Sequence, residues 1–500
     1  MEHAPTDEVG GPDPGGDDAA HEGPDGRDDR PPVADAVAVE RHASWLELFF
    51  DLVAVAGIGA LAHLLAHERT GVGLGIYVVA FAAFWLVWAC FTTYADIAAE
   101  TTRTVTMLAG MVALGVMTAA VPGIDDEHRR AFAIGYVVGR VVASRPWRRA
   151  TVVVDLPVVH TGAGVLPWVV SWWVDGPAAY LLWGLGLVLD LAFLLASTRS
   201  RLVASAQARL DRALESRRRR RDERRGPSDA APVRGPGGAD GPRGRQVPTT
   251  VQVLGADVPH LGERMSLFVL IVVGESLIQV IDGASEAEWD RALAVAGAGA
   301  FTLLVGLWGV AVRWGSAGVA LLPPGSLEPR LAWGAHLVST CALATVAATL
   351  APFVADPTAQ VGDRDRWFAV GAYATYALVA ASIHVALAVR DGRAGADPAG
   401  RRESARRAVA IGAPALVVVT LAGVHVDPTA VRLVWLLAGG VVLMPVLLGV
   451  LRRRDERQGD EPGRAGAGGR DERRAERDAA RERRHAGRAG HREGPPTASG

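Results

Sequence analysis

The chain has 500 residues, half of them apolar and 21% charged, with a formal net charge of −2. That mixture fits a chain divided between lipid and water. The only cysteines, Cys90 and Cys341, lie in different apolar runs and read as buried thiols, which excludes a disulfide framework and a cysteine zinc site.

Residues 1–40 hold twelve acids against Arg27 and Arg30, are rich in Gly, Pro and Asp, and contain no apolar run. They read as a disordered acidic tail. No charged, then apolar, then small-residue pattern precedes the first span, which is therefore expected to insert as an uncleaved membrane anchor.

A helix needs about 20 apolar residues to cross a bilayer. Twelve runs approach that length: 45–65, 75–97, 104–122, 131–145, 150–173, 178–198, 266–282, 292–314, 331–353, 367–389, 408–425 and 430–451. None alternates apolar and polar residues as barrel strands do. The predicted fold is an all-α polytopic transmembrane bundle of about 12 spans. Arginine supplies all 52 basic residues, and its placement sets the orientation. The basic stretches are Arg145 to Arg149, Arg199 to Arg225, Arg390 to Arg407 and Arg452 to Arg454; the loops between are acidic or balanced. By the positive-inside rule both termini are cytoplasmic.

Five domains follow: the tail 1–40, a six-helix membrane half 41–198, an arginine-rich cytoplasmic linker 199–260, a second half 261–451, and a charged cytoplasmic tail 452–500. The run Arg217–Arg221 suits anionic lipid headgroups. No fold or aromatic stacking pattern supports nucleic-acid binding, so none is expected.

The halves resemble each other in order. Leu48-Phe49 corresponds to Leu267-Phe268, and the Trp88/Tyr94 spacing to Trp308/Trp314. Arg130-Ala131-Phe132 corresponds to Arg366-Trp367-Phe368, and Arg148-Arg149 with Pro157 to Arg406-Arg407 with Pro414. Six spans per half make this a parallel 6+6 internal repeat, with an axis along the membrane normal. Such symmetry either frames a pathway between the halves or only builds a larger bundle.

The first span opens Trp45-Leu46-Glu47-Leu48-Phe49-Phe50-Asp51-Leu52-Val53-Ala54-Val55, and the seventh opens Gly262-Glu263-Arg264-Met265 and continues to Gly274-Glu275-Ser276. These two motifs, in this order, resemble the hallmarks of the low temperature requirement protein A (LtrA) family, and the resemblance runs from about residue 41 to 451. Ala54 and Met265 stand where the family often has aromatic residues. Neither change removes a charge. The resemblance implies a multi-pass protein of the bacterial cytoplasmic membrane associated with growth in the cold. It names no chemistry.

Charges inside lipid-length runs carry the functional reading, because each costs at least a few kcal/mol in hydrocarbon. Glu47 and Asp51 are four apart and share a helix face. That face turns inward, either as a buried ion pair that fixes packing or as part of a pathway. Glu263 and Arg264 are adjacent and need separate partners; Arg264 at matched depth is a partner for Glu47 or Asp51. Glu275, with Gln279 one turn on, reads as a proton carrier or a cation ligand rather than a packing acid. Asp155 and His160 flank Pro157, whose missing N–H frees a carbonyl for a local polar site. Asp190 is a further buried acid; Asp96 and Arg103 read as an interfacial pair, and Arg140 and Arg313 as snorkelling side chains. His63, His336 and His384 read as satisfied interior histidines. No catalytic residue, metal site or cofactor is expected.

These residues point to a secondary transporter or ion-conducting protein, coupled to a proton or small cation, and not to an enzyme. The alternatives are a non-catalytic scaffold or regulator of cold adaptation, and a lipid-modifying intramembrane enzyme using acids and His160 as acid and base.

Overall fold

Helices dominate the computed structural model, which describes residues 44–67, 70–98, 102–145, 152–154, 163–197, 199–224, 252–254, 257–314, 329–393, 398–424 and 428–459. The tails 1–40 and 460–500, the linker between 225 and 251, and Asp155, Pro157 and His160 lie outside these residues.

Helix α1 (Trp45–His67) starts where Ser44 and Glu47 form a reciprocal cap. The Ser44 amide donates to Glu47 Oε2 at 2.7 Å and the Glu47 amide to Ser44 Oγ at 3.3 Å. This capping box satisfies two otherwise orphaned helix donors. Along α1, Glu47, Phe50, Asp51, Ala54, Ile58, Leu61, Ala62 and Leu65 are buried, while Trp45, Phe49 and Leu52 are exposed. The 3.6-residue period thus sets one inward face and one lipid-compatible face.

Helices α2 (Gly71–Ala98), α3 (Thr104–Ala119) and α4 (Arg129–Ser144) follow. Gly57 lets α1 approach α2: a Cβ there would lie 2.1 Å from Phe84 Cζ. The fifth span departs from expectation. Val152–Val154 form a strand, β1, and only Val165–Val170 (α5) and a 3₁₀ turn at Ser171–Trp173 are helical in its second part. Three successive β-branched valines favour an extended backbone. β1 pairs in parallel with β2 (Gln252–Leu254), joining Val153 to Val253. This short pairing and a single antiparallel bridge between Gln360 and Thr429 are the departures from an all-α bundle among the described residues.

Then come α6 (Pro177–Ala196) and the charged helix α7 (Arg199–Arg224), which contains Arg217–Arg221. The second half comprises α8 (Val258–Glu286), α9 (Arg291–Arg313), α10 (Pro329–Ala355), α11 (Asp363–Arg393), α12 (Pro398–Val424) and α13 (Ala430–Gly459). α8 begins eight residues earlier than its apolar run, because Asp257 caps it and accepts from the His260 amide at 3.3 Å. Glu263 and Arg264 therefore lie within the helix rather than ahead of it. Nine of the described helices are long and apolar enough to cross a membrane; α3, at 16 residues, is shorter. The chain is a multi-pass helical membrane protein.

Helix α1 packs against α2, α3, α8 and α10; α3 packs against α4, and α2 against α4 and α6. In the second half α8 packs against α9 and α10, α10 against α11, α11 against α12, and α13 against α12 and α9. The seam between α1 and α8 therefore lies amid the neighbours of both halves.

Candidate functional site

Along that seam α1 and α8 run in parallel, the offset between facing residues changing by three from one end to the other. Glu47 faces His260, Asp51 faces Arg264, Gly59 faces Glu275 and His63 faces Gln279. Two polar stations result, separated along α8 by eleven residues, roughly 16 Å at the helical rise.

The first station joins two ladders of side chains four residues apart. Arg264 Nη2 donates to Asp51 Oδ1 at 2.7 Å, and Arg264 Nη1 lies 3.6 Å from Glu47 Oε1. His260 Nε2 stands 3.3 Å from the same Glu47 oxygen. Trp88 of α2 donates its indole N–H to Asp51 Oδ1 at 2.9 Å. Arg264 is fully buried, and Glu47, Asp51 and His260 nearly so. A pair so desolvated persists because each charge neutralises the other and accepts or donates further hydrogen bonds. Glu263 diverges from this face, as adjacent helical residues must; it is partly exposed, 3.7 Å from His260 Nδ1.

The second station is built differently. Gln279 Nε2 donates to Glu275 Oε1 at 2.8 Å and lies 3.4 Å from His63 Nε2. Glu275 is 6% exposed and Gln279 1%. The carboxyl lies flat against the α1 backbone: a Cβ at Gly59 would meet Glu275 Cδ and both its oxygens at 3.1 Å. Only glycine leaves that slot open. Among the described residues Glu275 has no ion-pair partner, whereas Asp51 has Arg264 and Asp190 has Arg140.

The other buried charges are elsewhere. Arg140 does not snorkel. It is 3% exposed and donates to Asp190 Oδ2 at 3.2 Å, which also accepts from Tyr136 Oη at 3.1 Å, while its Nη1 meets Cys90 Sγ. The reason is that Arg140 faces α6 within the bundle, where Asp190 supplies the countercharge. Asp96 is buried, and its Oδ2 accepts from the Asp257 amide at 3.0 Å, tying α2 to the start of α8; Arg103 is exposed. His336 is a satisfied interior histidine: Trp85 donates to its Nδ1 at 2.9 Å and its Nε2–H donates to the Met265 carbonyl at 3.0 Å. His384 is buried, and His63 is exposed. Cys90 is a buried thiol and Cys341 a half-buried one, and they form no disulfide.

Of the sequence-nominated residues, the fold brings Glu47, Asp51 and Arg264 into one station and Glu275 and Gln279 into the other. Asp155 and His160 are outside the described residues. His260, Trp88, Gly59 and His63 were not nominated for these roles. His260 had a signal, since it precedes Arg264 by four residues, just as Glu47 precedes Asp51. Trp88 and Gly59 had none, because their partners lie on other helices.

No curated protein and no solved structure matches the chain. The family model described as bacterial low temperature requirement A protein (LtrA) matches residues 42–450, which span both stations. With both hallmark motifs facing each other across the α1–α8 seam and the match covering most of its length, the chain belongs to the LtrA family.

Proposed function

We propose that the chain is a secondary transporter or ion-conducting protein that moves a proton or a small cation along the α1–α8 seam. One observation carries this reading: Glu275 is a buried carboxyl, well inside a membrane-length helix, with an amide and no ion-pair partner among the described residues. An uncompensated charge in that position costs several kcal/mol, so the group holds a proton or exchanges a cation. Asp51 and Asp190 are neutralised by arginine and suit structural roles.

The six-plus-six arrangement belongs to the same reading. It is supported by matching neighbours: α1 packs on α2 and α3 and α3 on α4, as α8 packs on α9 and α10 and α10 on α11. The parallel register of α1 with α8 fits two halves that begin on one side of the membrane. With the bacterial cytoplasmic membrane as host and both termini inside, the Arg264 station lies toward the cytoplasm and the Glu275 station toward the outer face. Arg217–Arg221, at the far end of α7, then meet anionic headgroups of the inner leaflet. The protein is read as non-enzymatic.

The test is flux. Purified protein in liposomes is expected to carry protons or an alkali cation down an imposed gradient, and Glu275→Gln to abolish that flux while the protein remains folded. Zero flux under every pH and cation gradient would overturn the reading.

A further inference from the structure

Gln279 Nε2 is the bridging atom of the second station, 2.8 Å from Glu275 Oε1 and 3.4 Å from His63 Nε2. An amide nitrogen carries two hydrogens, so it serves two acceptors at once, here a carboxylate and an imidazole lone pair. Turning the amide over puts Oε1 in the same place. That oxygen serves two donors, a carboxylic O–H and an imidazole N–H. A proton on Glu275 Oε1, the oxygen facing the amide, calls for the second orientation, and a mixed state, with one neighbour donating and the other accepting, leaves a like-facing contact there.

We propose that Glu275 and His63 form a single proton-loading unit coupled through the Gln279 amide, so that protonating Glu275 converts His63 Nε2 from acceptor to donor. This deepens the transport reading and rests on it for its physiological use, but not for its chemistry. A proton adds to Glu275 Oε1, the amide turns over, and His63, which is exposed, releases its Nδ1 hydrogen to water and takes one up at Nε2. No bond between heavy atoms forms or breaks. His63 is exposed and stands one turn beyond Gly59, so it connects the buried carboxyl to the exterior of the bundle.

The donors favour a proton over a metal cation. Among the described residues no group of three or more His, Cys, Asp or Glu side chains could hold a metal ion. Hard cations take several oxygen ligands.

The surrounding titratable and charged groups are otherwise engaged or remote. On α1, Glu47 and Asp51 belong to the Arg264 station, and His67 Nδ1 lies 2.8 Å from the His63 carbonyl oxygen. On α8, His260, Glu263 and Arg264 also belong to that station, and Asp282 and Glu286 lie beyond Gln279. On α10, His336 is bound to Trp85 and Met265, and Arg330 donates to the Leu195 carbonyl. Tyr77 of α2 donates to the carbonyl of Cys341 and accepts from Thr345. Asp96, also on α2, binds the Asp257 amide. Helix α3 has no ionisable side chain, and α9 has arginines only at its two ends.

The experiment uses the full chain in vesicles and two readouts. Dicyclohexylcarbodiimide adds to protonated carboxyls within membranes, and peptide mass spectrometry locates the adduct. Glu275 is expected to label at low pH and to lose labelling as pH rises. Nitrogen-15 NMR of histidine-labelled protein, with His63 assigned by difference against His63→Phe, reads the ring. In the unmodified sequence the His63 signal is expected to change at the same pH midpoint as the labelling. In Glu275→Gln and Gln279→Met that coincident change is expected to vanish. The wild-type comparison needs no variant, so poor folding of a mutant does not decide the outcome. A His63 transition identical in all three proteins would overturn the coupling. Labelling of Glu275 that ignores pH, or protection by sodium or potassium at constant pH, would overturn the proton assignment. Coincident midpoints with zero liposome flux would support this unit and refute transport.

Discussion

Arg264 of α8 and Asp51 of α1 meet at 2.7 Å with side chains 1% and 5% exposed, joining the two halves of the chain. Removing either partner strands the other charge in a dry interior. Asp51→Leu and Arg264→Leu are each expected to cost about 3–5 kcal/mol, and the double replacement far less than their sum. Thermal melts of detergent-purified variants, analysed as a double-mutant cycle, check this. Additive losses would mean that the two side chains do not depend on each other.

Trp88 supports the same carboxylate through its indole N–H at 2.9 Å. Trp88→Phe keeps most of the ring, which lies 4.2 Å from that of Phe268, and removes the donor. The expected loss is about 1–3 kcal/mol, the range for a hydrogen bond to a charged group. The loss should shrink sharply in an Asp51→Leu background, which distinguishes the hydrogen bond from packing.

Gly59 controls how closely Glu275 approaches α1. Gly59→Ala places a methyl group 3.1 Å from the carboxyl, so the side chain or the helix shifts by a few tenths of an ångström. Overpacking of this kind costs about 1–3 kcal/mol. The informative readout is carbodiimide labelling of Glu275, whose pH midpoint should move while the melting temperature falls only slightly. An unchanged midpoint would show that the slot does not position the carboxyl.

In the first half, Arg140 and Asp190 form a second buried pair with Tyr136 donating to the same carboxylate. Arg140→Met is expected to destabilise by about 3–5 kcal/mol, and Tyr136→Phe by about 1–2 kcal/mol. Neither should alter the labelling midpoint of Glu275. A shift of that midpoint in either variant would place the cluster within the proton path.

Near the start of α12, Glu403 accepts from Arg407 Nε at 3.1 Å, from Arg406 Nη1 at 3.4 Å and from Arg452 of α13. Arg406 also binds Asp455. This cluster clamps α12 to α13 but is partly exposed, so Glu403→Gln should cost only about 1 kcal/mol. The deficit is expected to fall as ionic strength rises, because salt screens exposed pairs. A salt-independent loss of several kcal/mol would contradict that account.

Much of the molecule was legible in one dimension. Apolar run length fixed the class of fold, since few structures satisfy backbone hydrogen bonds in lipid. The four-residue spacing of Glu47 and Asp51 placed both on one buried face, and their depth matched Arg264. The fifth span was misread because run length and hydropathy do not distinguish a helix from the β-branched segment that became β1. Arg140 was misread because hydropathy shows nearness to a helix end but not which neighbour the side chain faces.

Local chemistry in the sequence therefore decided most of the helical segments, the inward face of α1 and which ionisable groups fall within lipid-length runs. Only the tertiary structure decided that α1 and α8 lie side by side, seating Trp88 and His260 around the Asp51–Arg264 pair and leaving Glu275 an amide. The physical reason is one of range. Helical periodicity is set by hydrogen bonds four residues apart, whereas the countercharge for Asp51 comes from a helix more than two hundred residues away, chosen by packing.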